Sequence, residues 1–482
     1  MKSRWFRVGM IVGVAALLGG CAMNPVTGRP MFVLVSEAQE IELGKSYAPQ
    51  IAASMGLYED EELQRYVESI GMPMAQGSER PDLPWQFRVV DDAAINAFAV
   101  PGGFIYVTRG ILAHMGSEAE LASVLGHEVG HVTARHSVSQ ISKQQLASIG
   151  LVVGSIALGE AAGLLVPIAS QGMQLLFLSH GRDDERQSDD LGLRYMTEAG
   201  YDPHQMVEMF RTLGRSSPSE GARVPEWLST HPNPENREAR IEAAILELER
   251  VPADPKVGRD VFMRAIDGVV YGPDPRAGYF ADQRFHHPDL RFRLDFPEGW
   301  NTANQTQAVL GISGEQDAML QLTLAQGETV KEASDAFFAQ QGLQSGNIQT
   351  TKVNGLSAVT GDFAVATAQA NLRGVAHFVA LGDHIYQLLG YAAANAFEAR
   401  EGALRASLGS FRRETSRAVL NAKPWRIDIV RPKRSLSIAD FARTYPGPVE
   451  AEELARINEL DAGERYPAGR PAKRVVGRAL PR

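Results

Sequence analysis

His127-Glu128-Val129-Gly130-His131 constrains this chain more than any other stretch. It lies inside a strong helical pattern that runs from Glu118 to about His136, with Ser117 as N-cap and Glu120 at the capping-box position. Positions four apart on an α-helix share a face and stand about 6 Å apart along the axis. Both imidazoles therefore reach one metal ion, and Glu128 sits beside them, able to polarise water. These are the parts of a zinc hydrolase with a glutamate general base. The plain alternative is a pair of solvated helix histidines.

The 482 residues suffice for two to four domains, and 44% hydrophobic with 22% charged residues permits ordinary cores. The net charge is −9 and no basic stretch stands out, which sets nucleic acid aside as a partner. Lys2, Arg4 and Arg7 precede a short apolar run, Val8 to Leu18, which reads as an export signal rather than a membrane span. Leu18-Gly19-Gly20-Cys21 resembles a bacterial lipobox. That resemblance implies cleavage before Cys21 and lipid attachment there, with several acyl chains giving a stable anchor. Cys21 is the only cysteine, so intramolecular disulfides are excluded. Alanine at position 22, where aspartate often retains lipoproteins in the inner membrane, points to the outer membrane.

Residues 1–20 thus form the signal and 21–34 a tether without periodic pattern. Helices are expected from Ser36, capped with Gln39, to about Ser54, and from Glu61 to Ile70 behind Asp60. A strand follows over Pro84–Val90. Ile95–Val100, the turn Pro101-Gly102-Gly103 and Phe104–Thr108 read as strand, turn and strand. Residues 149–169 are apolar and glycine-rich; a membrane hairpin is the alternative, but each run is too short to span, and they read as packed helices near the site. Asp183–Ala199, Gln205–Gly214 and Pro234 to about Arg250 are further helices. A connector is expected over 251–286, an accessory domain over 287–413 and a third unit over 424–477.

A hydrolytic zinc site takes three protein ligands and keeps one position for water. A metzincin would place a third histidine six residues past His131, but position 137 is serine and Ala134 replaces the glycine of that turn. His136 is one residue early and on the wrong helical face, so it reads as structural or surface. Glu185 in Glu185-Arg186-Gln187-Ser188-Asp189 is the better candidate. The E-x-x-x-D spacing puts both carboxylates on one helix face, with Glu185 on zinc and Asp189 holding the free nitrogen of a histidine ligand. A solvated acidic face is the alternative, and it suits Asp183, Asp184 and Asp190 better than this pair.

Together, His127–His131, Gly181-Arg182-Asp183-Asp184-Glu185, the E-x-x-x-D helix and Ala199-Gly200-Tyr201-Asp202-Pro203 resemble metallopeptidase family 48. This is the zinc gluzincin family that includes HtpX and the CAAX prenyl proteases. The resemblance covers residues 35–250 and is to the exported, BepA-like branch, with Gly181 where the family usually has serine. It implies one zinc ion on His127, His131 and Glu185, with Glu128 as general base. It implies that Asn96, Ala97 and Phe98 belong to a strand that holds extended substrate by backbone pairing. Phe98 is equally explained as core. It further implies that His231, in Ser229-Thr230-His231-Pro232, approaches the metal as a switch or donates to the oxyanion. A loop histidine held by its proline is the alternative. His114, His180 and His204 match no ligand pattern.

The expected fold class is α+β: a mostly helical gluzincin domain with a small sheet, an α+β domain and a small C-terminal unit. Phe296-Pro297-Glu298-Gly299-Trp300 looks similar to PsbP/Mog-like domains, and 425–476 faintly resembles a LysM domain. Lys433-Arg434-Ser435 stands where that module has G-D-T, which weakens any peptidoglycan binding. The expected function is a zinc metalloendopeptidase of the bacterial envelope, lipid-anchored on the periplasmic face of the outer membrane. Its substrates would be unfolded or misassembled envelope proteins. A non-proteolytic envelope chaperone or scaffold is the rival, and a peptidoglycan amidase a third reading.

Overall fold

The computed structural model describes residues 21–143, 180–215, 226–231, 237–366 and 371–481. The expectations for residues 1–20 and 149–169 lie outside these, as does the start of the helix expected from Pro234. The described residues divide into two compact units. The first holds those up to Gly272 together with Trp425–Val476; the second begins at Pro273.

The first unit opens with a hairpin, β1 (Cys21–Met23) antiparallel to β2 (Pro30–Phe32), inside the stretch expected to be patternless. The Asn24 side chain accepts from Val26 N and Thr27 N, and Gly28 adopts φ 62°, which together turn the chain. Three-residue strands are too short to register as alternation. α1 (Glu37–Met55) starts at the full Ser36/Gln39 capping box. α2 (Glu61–Gln76) starts at Asp60 and runs six residues past its expected end, through Pro73. Its packing decides the length: Ile70, Met74 and Ala75 are buried, and Gly71 lies against the Phe87 ring.

β3 (Gln86–Val90), β4 (Ala97–Val100) and β5 (Phe104–Thr108) form a sheet in the order β3-β5-β4. β3 is parallel and β4 antiparallel to β5, so β4 is an edge strand. The turn needs its glycines. Gly102 and Gly103 have φ 86° and 98°, and a Cβ on Gly102 would lie 2.8 Å from Ile41 Cα. α3 (Arg109–His114) leads to α4 (Glu118–Thr133), every residue of which is buried. Ser117 Oγ accepts from Glu120 N as expected, but the Glu120 carboxyl reaches Gly116 N rather than the N-cap's own amide. α5 (Arg182–Glu198), α6 (His204–Arg215), α7 (Glu226–Thr230) and α8 (Arg237–Leu246) pack around it. Among the described residues no helix is long and apolar enough to cross a membrane.

α9 (Arg259–Ala265) and β6 (Val270–Tyr271) complete this stretch. The second unit is α+β. β7 (Tyr279–Ala281), β8 (Arg284–His287), β9 (Phe292–Asp295) and β17 (Arg412–Arg413) make a four-stranded sheet. β10 (Asn301–Gln305), β11 (Ala308–Ile312), β12 (Ala318–Leu324), β13 (Leu343–Val353), β14 (Leu356–Ala366), β15 (Asn371–Leu381) and β16 (His384–Ala393) make an antiparallel sheet in the order β10-β11-β12-β16-β15-β14-β13. Helices α10 (Val330–Phe338) and α11 (Phe397–Ser410) pack on this sheet, in which the long strands over Leu343–Val353 and Leu356–Ala366 pair antiparallel. The first is almost wholly exposed at a sheet edge and so lacks the alternation that marks a half-buried strand.

After the short α12 (Arg417–Leu420), the chain returns to the first unit. β18 (Trp425–Val430) pairs with β6 and with β21 (Ala472–Val476). α13 (Ile438–Thr444) and α14 (Ala451–Ile457) lie between. Lys473 is fully buried and donates to Ala113 O at 3.0 Å and Met115 O at 2.7 Å, just ahead of α4. Burial draws this ammonium down to about 8. This segment is thus built into the core of the first unit by its own strand pairing and a buried cation.

Candidate metal centre

The centre depends on how closely α4 and α5 approach. Gly126 and Gly130 on α4 face Ser188 and Gly192 on α5. A Cβ on Gly192 would lie 2.8 Å from His127 N, and one on Gly130 would lie 3.1 Å from Ser188 Cα. Small residues on both sides let the backbones nearly touch. That brings the Glu185 side chain over the two histidines.

His127 Nε2 and His131 Nε2 stand 3.0 Å apart. Glu185 Oε2 is 3.5 Å from His127 Nε2, and Oε1 is 3.3 Å from His131 Nε2. His231 also enters: its Nδ1 is 3.3 Å from His127 Nε2 and 3.1 Å from Glu185 Oε1. These four residues are buried, and their donor atoms lie within 4.8 Å of one another. Zinc–donor bonds of about 2.0–2.1 Å at tetrahedral angles set donors about 3.3–3.4 Å apart. The nitrogen and carboxylate set fits zinc in chemistry and in spacing.

Behind the donors lies a charged layer. His127 Nδ1 is 3.0 Å from Asp189 Oδ1. Arg237 donates to Asp189 Oδ2 at 2.8 Å and Oδ1 at 2.5 Å, and to Glu185 Oε2 at 3.3 Å. Its guanidinium lies over Phe210 and Trp227, 4.3 and 5.1 Å from their ring centroids. Trp227 in turn stacks on His231 at 4.7 Å. The fields are correspondingly strong. Burial opposes charge on Glu185, but His231, His127 and His131 hold its carboxyl far below the usual range. Burial likewise opposes charge on Asp189, which Arg237 and His127 draw down to about 2. His127 is lifted to about 9 against its own burial by Asp189 and Glu185. Burial and His180 push His131 the other way.

Glu128 is 1% exposed, and its Oε1 has no hydrogen-bond partner among the described residues. His231 Nε2 is 3.5 Å from that oxygen. Burial raises the Glu128 carboxyl, while His231, His127 and a backbone hydrogen bond from Ala99 on β4 pull it down, so this side chain touches the edge strand. The Asn96 carboxamide is 1% exposed with neither polar atom partnered among the described residues. Ala97 and Phe98 are buried, and Phe98 stacks on Tyr106 at 5.2 Å. Cys21 lies in β1, away from the donor cluster in sequence and in its hydrogen bonding.

Four residues of the centre were not legible as such. His180, expected to be inert, stacks on His131 at 4.0 Å, and burial brings it to about 3. His136, expected to be structural or surface, is buried beside His131. Arg237 and Trp227 carried no signal, because neither residue type marks a metal site and both arrive from loops and helices far along the chain.

Residues 61–245 match peptidase family M48. The chain is 33% identical over 231 residues to the beta-barrel assembly-enhancing protease of Yersinia pestis, covering 46% of this chain and 47% of that protein. It is 29% identical over 220 residues to the protein of that name from Escherichia coli K12, covering 44% and 45%. It is 30% identical over 236 residues to the mitochondrial metalloendopeptidase OMA1 of Schizosaccharomyces pombe, covering 47% and 66%. The chain thus spans about half the length of the first two relatives. Among solved structures, the cyanobacterial PsbP of Synechocystis sp. PCC 6803 aligns over 27% of this chain and 91% of its own, at 14% identity and a TM-score of 0.24.

Proposed function

We propose that this chain, whose residues 61–245 are a peptidase family M48 domain, is a zinc metalloendopeptidase of the bacterial envelope that cleaves misfolded or stalled envelope proteins. The observation that carries the reading is the convergence of His127, His131 and Glu185 beside Glu128, whose Oε1 has no partner among the described residues. The assignment is His127, His131 and Glu185 as ligands, Glu128 as general base and Asp189 as the residue that orients His127. Bound zinc would supply a Lewis acid that acidifies water and polarises a scissile carbonyl. Glu128 takes the water's proton and passes it to the leaving amine. Its buried position favours the first of these transfers, because burial raises the carboxyl and makes it a stronger proton acceptor. β4 ends its sheet among the described residues, which supports pairing with an extended substrate there, and the unpartnered Asn96 carboxamide stands just ahead of it.

His231 would be a fourth donor to a bound zinc ion, in the place that substrate water needs. This supports a latent resting state from which His231 must withdraw. Lipidation at Cys21 and location on the periplasmic face of the outer membrane are part of the proposal, supported by the lipobox-like run. The relation to beta-barrel assembly-enhancing proteases supports the envelope substrate class. The buried Lys473 and the β6–β18 pairing favour a structural role for 425–476 over a free peptidoglycan-binding module. The rival reading, a non-proteolytic chaperone or scaffold, has no use for Glu128.

The test uses residues 22–482 with unfolded β-casein. Cleavage is expected from wild type and not from Glu128→Gln or a chelator-treated sample. Glu128→Gln should retain one zinc per chain, and His127→Ala should lose it. Proteolysis by clean Glu128→Gln protein would refute the base assignment.

A further inference from the structure

His127 has Asp189 behind it; His131 is supported differently. α4 stops at Thr133, and Arg135 adopts φ 64° before the chain becomes helical again at residue 136. That left-handed residue is held by its own side chain: Nε donates to Glu40 Oε2 at 3.0 Å and Nη2 to Val35 O at 2.9 Å. The break swings His136 back toward the metal face. His136 is 4% exposed, its Nδ1 is 3.0 Å from His131 Nδ1, and the rings meet edge-on at 5.1 Å and 75°. The same Nδ1 is 3.3 Å from Ser188 Oγ. His136 Nε2 is 3.0 Å from Gln187 Oε1 and 3.7 Å from Asp184 Oδ1. Asp184, Gln187 and Ser188 all lie on α5, the helix that carries Glu185.

Chemistry orients this chain of bonds. His131 presents Nε2 to His127 and Glu185, so a coordinating His131 carries its hydrogen on Nδ1 and donates it. His136 Nδ1 must then accept, which puts the His136 hydrogen on Nε2, facing the Gln187 carbonyl oxygen. One consistent tautomer runs from the metal position to α5. We propose that His136 is a positioning residue of the metal centre, accepting the Nδ1–H of His131 and donating to Gln187, so that the second histidine ligand is fixed relative to the helix bearing Glu185. This rests on the ligand assignment above. The two histidine ligands then differ in kind: an anionic carboxylate stands behind His127 and a neutral imidazole behind His131.

Zinc affinity of the full chain, measured by competition with a chromophoric chelator, tests this without reference to activity. Removing such a hydrogen-bond partner typically costs 10- to 100-fold in metal affinity. His136→Phe keeps a ring but no acceptor, and is expected to weaken zinc by that factor. His136→Asn places its Oδ1 near the original Nδ1 but loses the link to Gln187, and is expected to fall between wild type and His136→Phe on the same scale. The d–d spectrum of the cobalt-substituted protein should shift in His136→Phe and less in His136→Asn. Gln187→Met breaks the relay from the partly exposed end, and is expected to weaken zinc even if His136→Phe fails to fold. A folded His136→Phe or Gln187→Met chain that binds zinc as wild type does would overturn the inference. If wild type binds no zinc, or His127→Ala keeps it, the ligand assignment itself has failed and the inference falls with it.

Discussion

Arg237→Met in the metal-free chain tests the charged layer directly. The guanidinium is 4% exposed, makes three donations to Asp189 and Glu185, and lies over two aromatic rings. Methionine keeps much of the stem volume, so the loss is chiefly electrostatic. Removing one member of a buried ion pair costs about 3–5 kcal/mol, because the other charge stays behind. Two cation–π contacts add about 1–2 kcal/mol. Against this, Arg240 remains on Asp189 Oδ2 at 2.6 Å with a side chain 28% exposed, and keeps part of the carboxylate neutralised. The expected net loss is about 3–4 kcal/mol, at the low end of the range for breaking a buried pair. The two units need not unfold together, so the assay is hydrogen exchange at buried amides of α4, which reports the opening free energy of this unit alone. Arg237→Lys keeps the charge without the planar fork and should lose roughly half as much. A drop below about 1 kcal/mol, the range of an exposed pair, would show that Arg240 alone balances Asp189 and would refute the reasoning.

Gly192→Ala must push α5 from α4, since its Cβ meets His127 N at 2.8 Å; zinc affinity should fall at least about tenfold, as when a ligand's support is lost. Gly214→Ala, with nothing within 4 Å, is the silent control in the same titration. Lys473→Met strands two carbonyls and removes a buried cation near Glu459 and Glu120; thermal unfolding should show a loss of about 2–4 kcal/mol in the first unit. In the second unit, burial and Arg405 hold His377 at about 4, against a weaker pull from the Leu408 carbonyl. Its folded value lies below its unfolded 6.5, so His377 costs nothing above pH 6.5. Stability is lost as pH falls from 6.5 towards 4, by about 3 kcal/mol in full. His377→Phe should flatten that part of the calorimetric stability profile, and an unchanged slope would contradict it.

Local sequence determined whatever depends on neighbours along the chain. The four-residue spacing of His127 and His131 put both imidazoles on one face, and the Glu185/Asp189 spacing did the same for the carboxylates. Ser36, Asp60 and Ser117 marked helix starts because a cap acts on amides two or three residues away. Tertiary structure decided the rest. The Gly126, Gly130, Ser188 and Gly192 seam sets how far Glu185 stands from the histidines, and no periodicity encodes the pairing of two helices separated in sequence. The left-handed Arg135 is held by Glu40 and Val35, a hundred positions earlier, and it overrides the helical phase that placed His136 on the wrong face. Arg237, Trp227 and His180 reach the centre for the same reason: a buried charge or ring finds its partner through packing in space, which short-range pattern does not record.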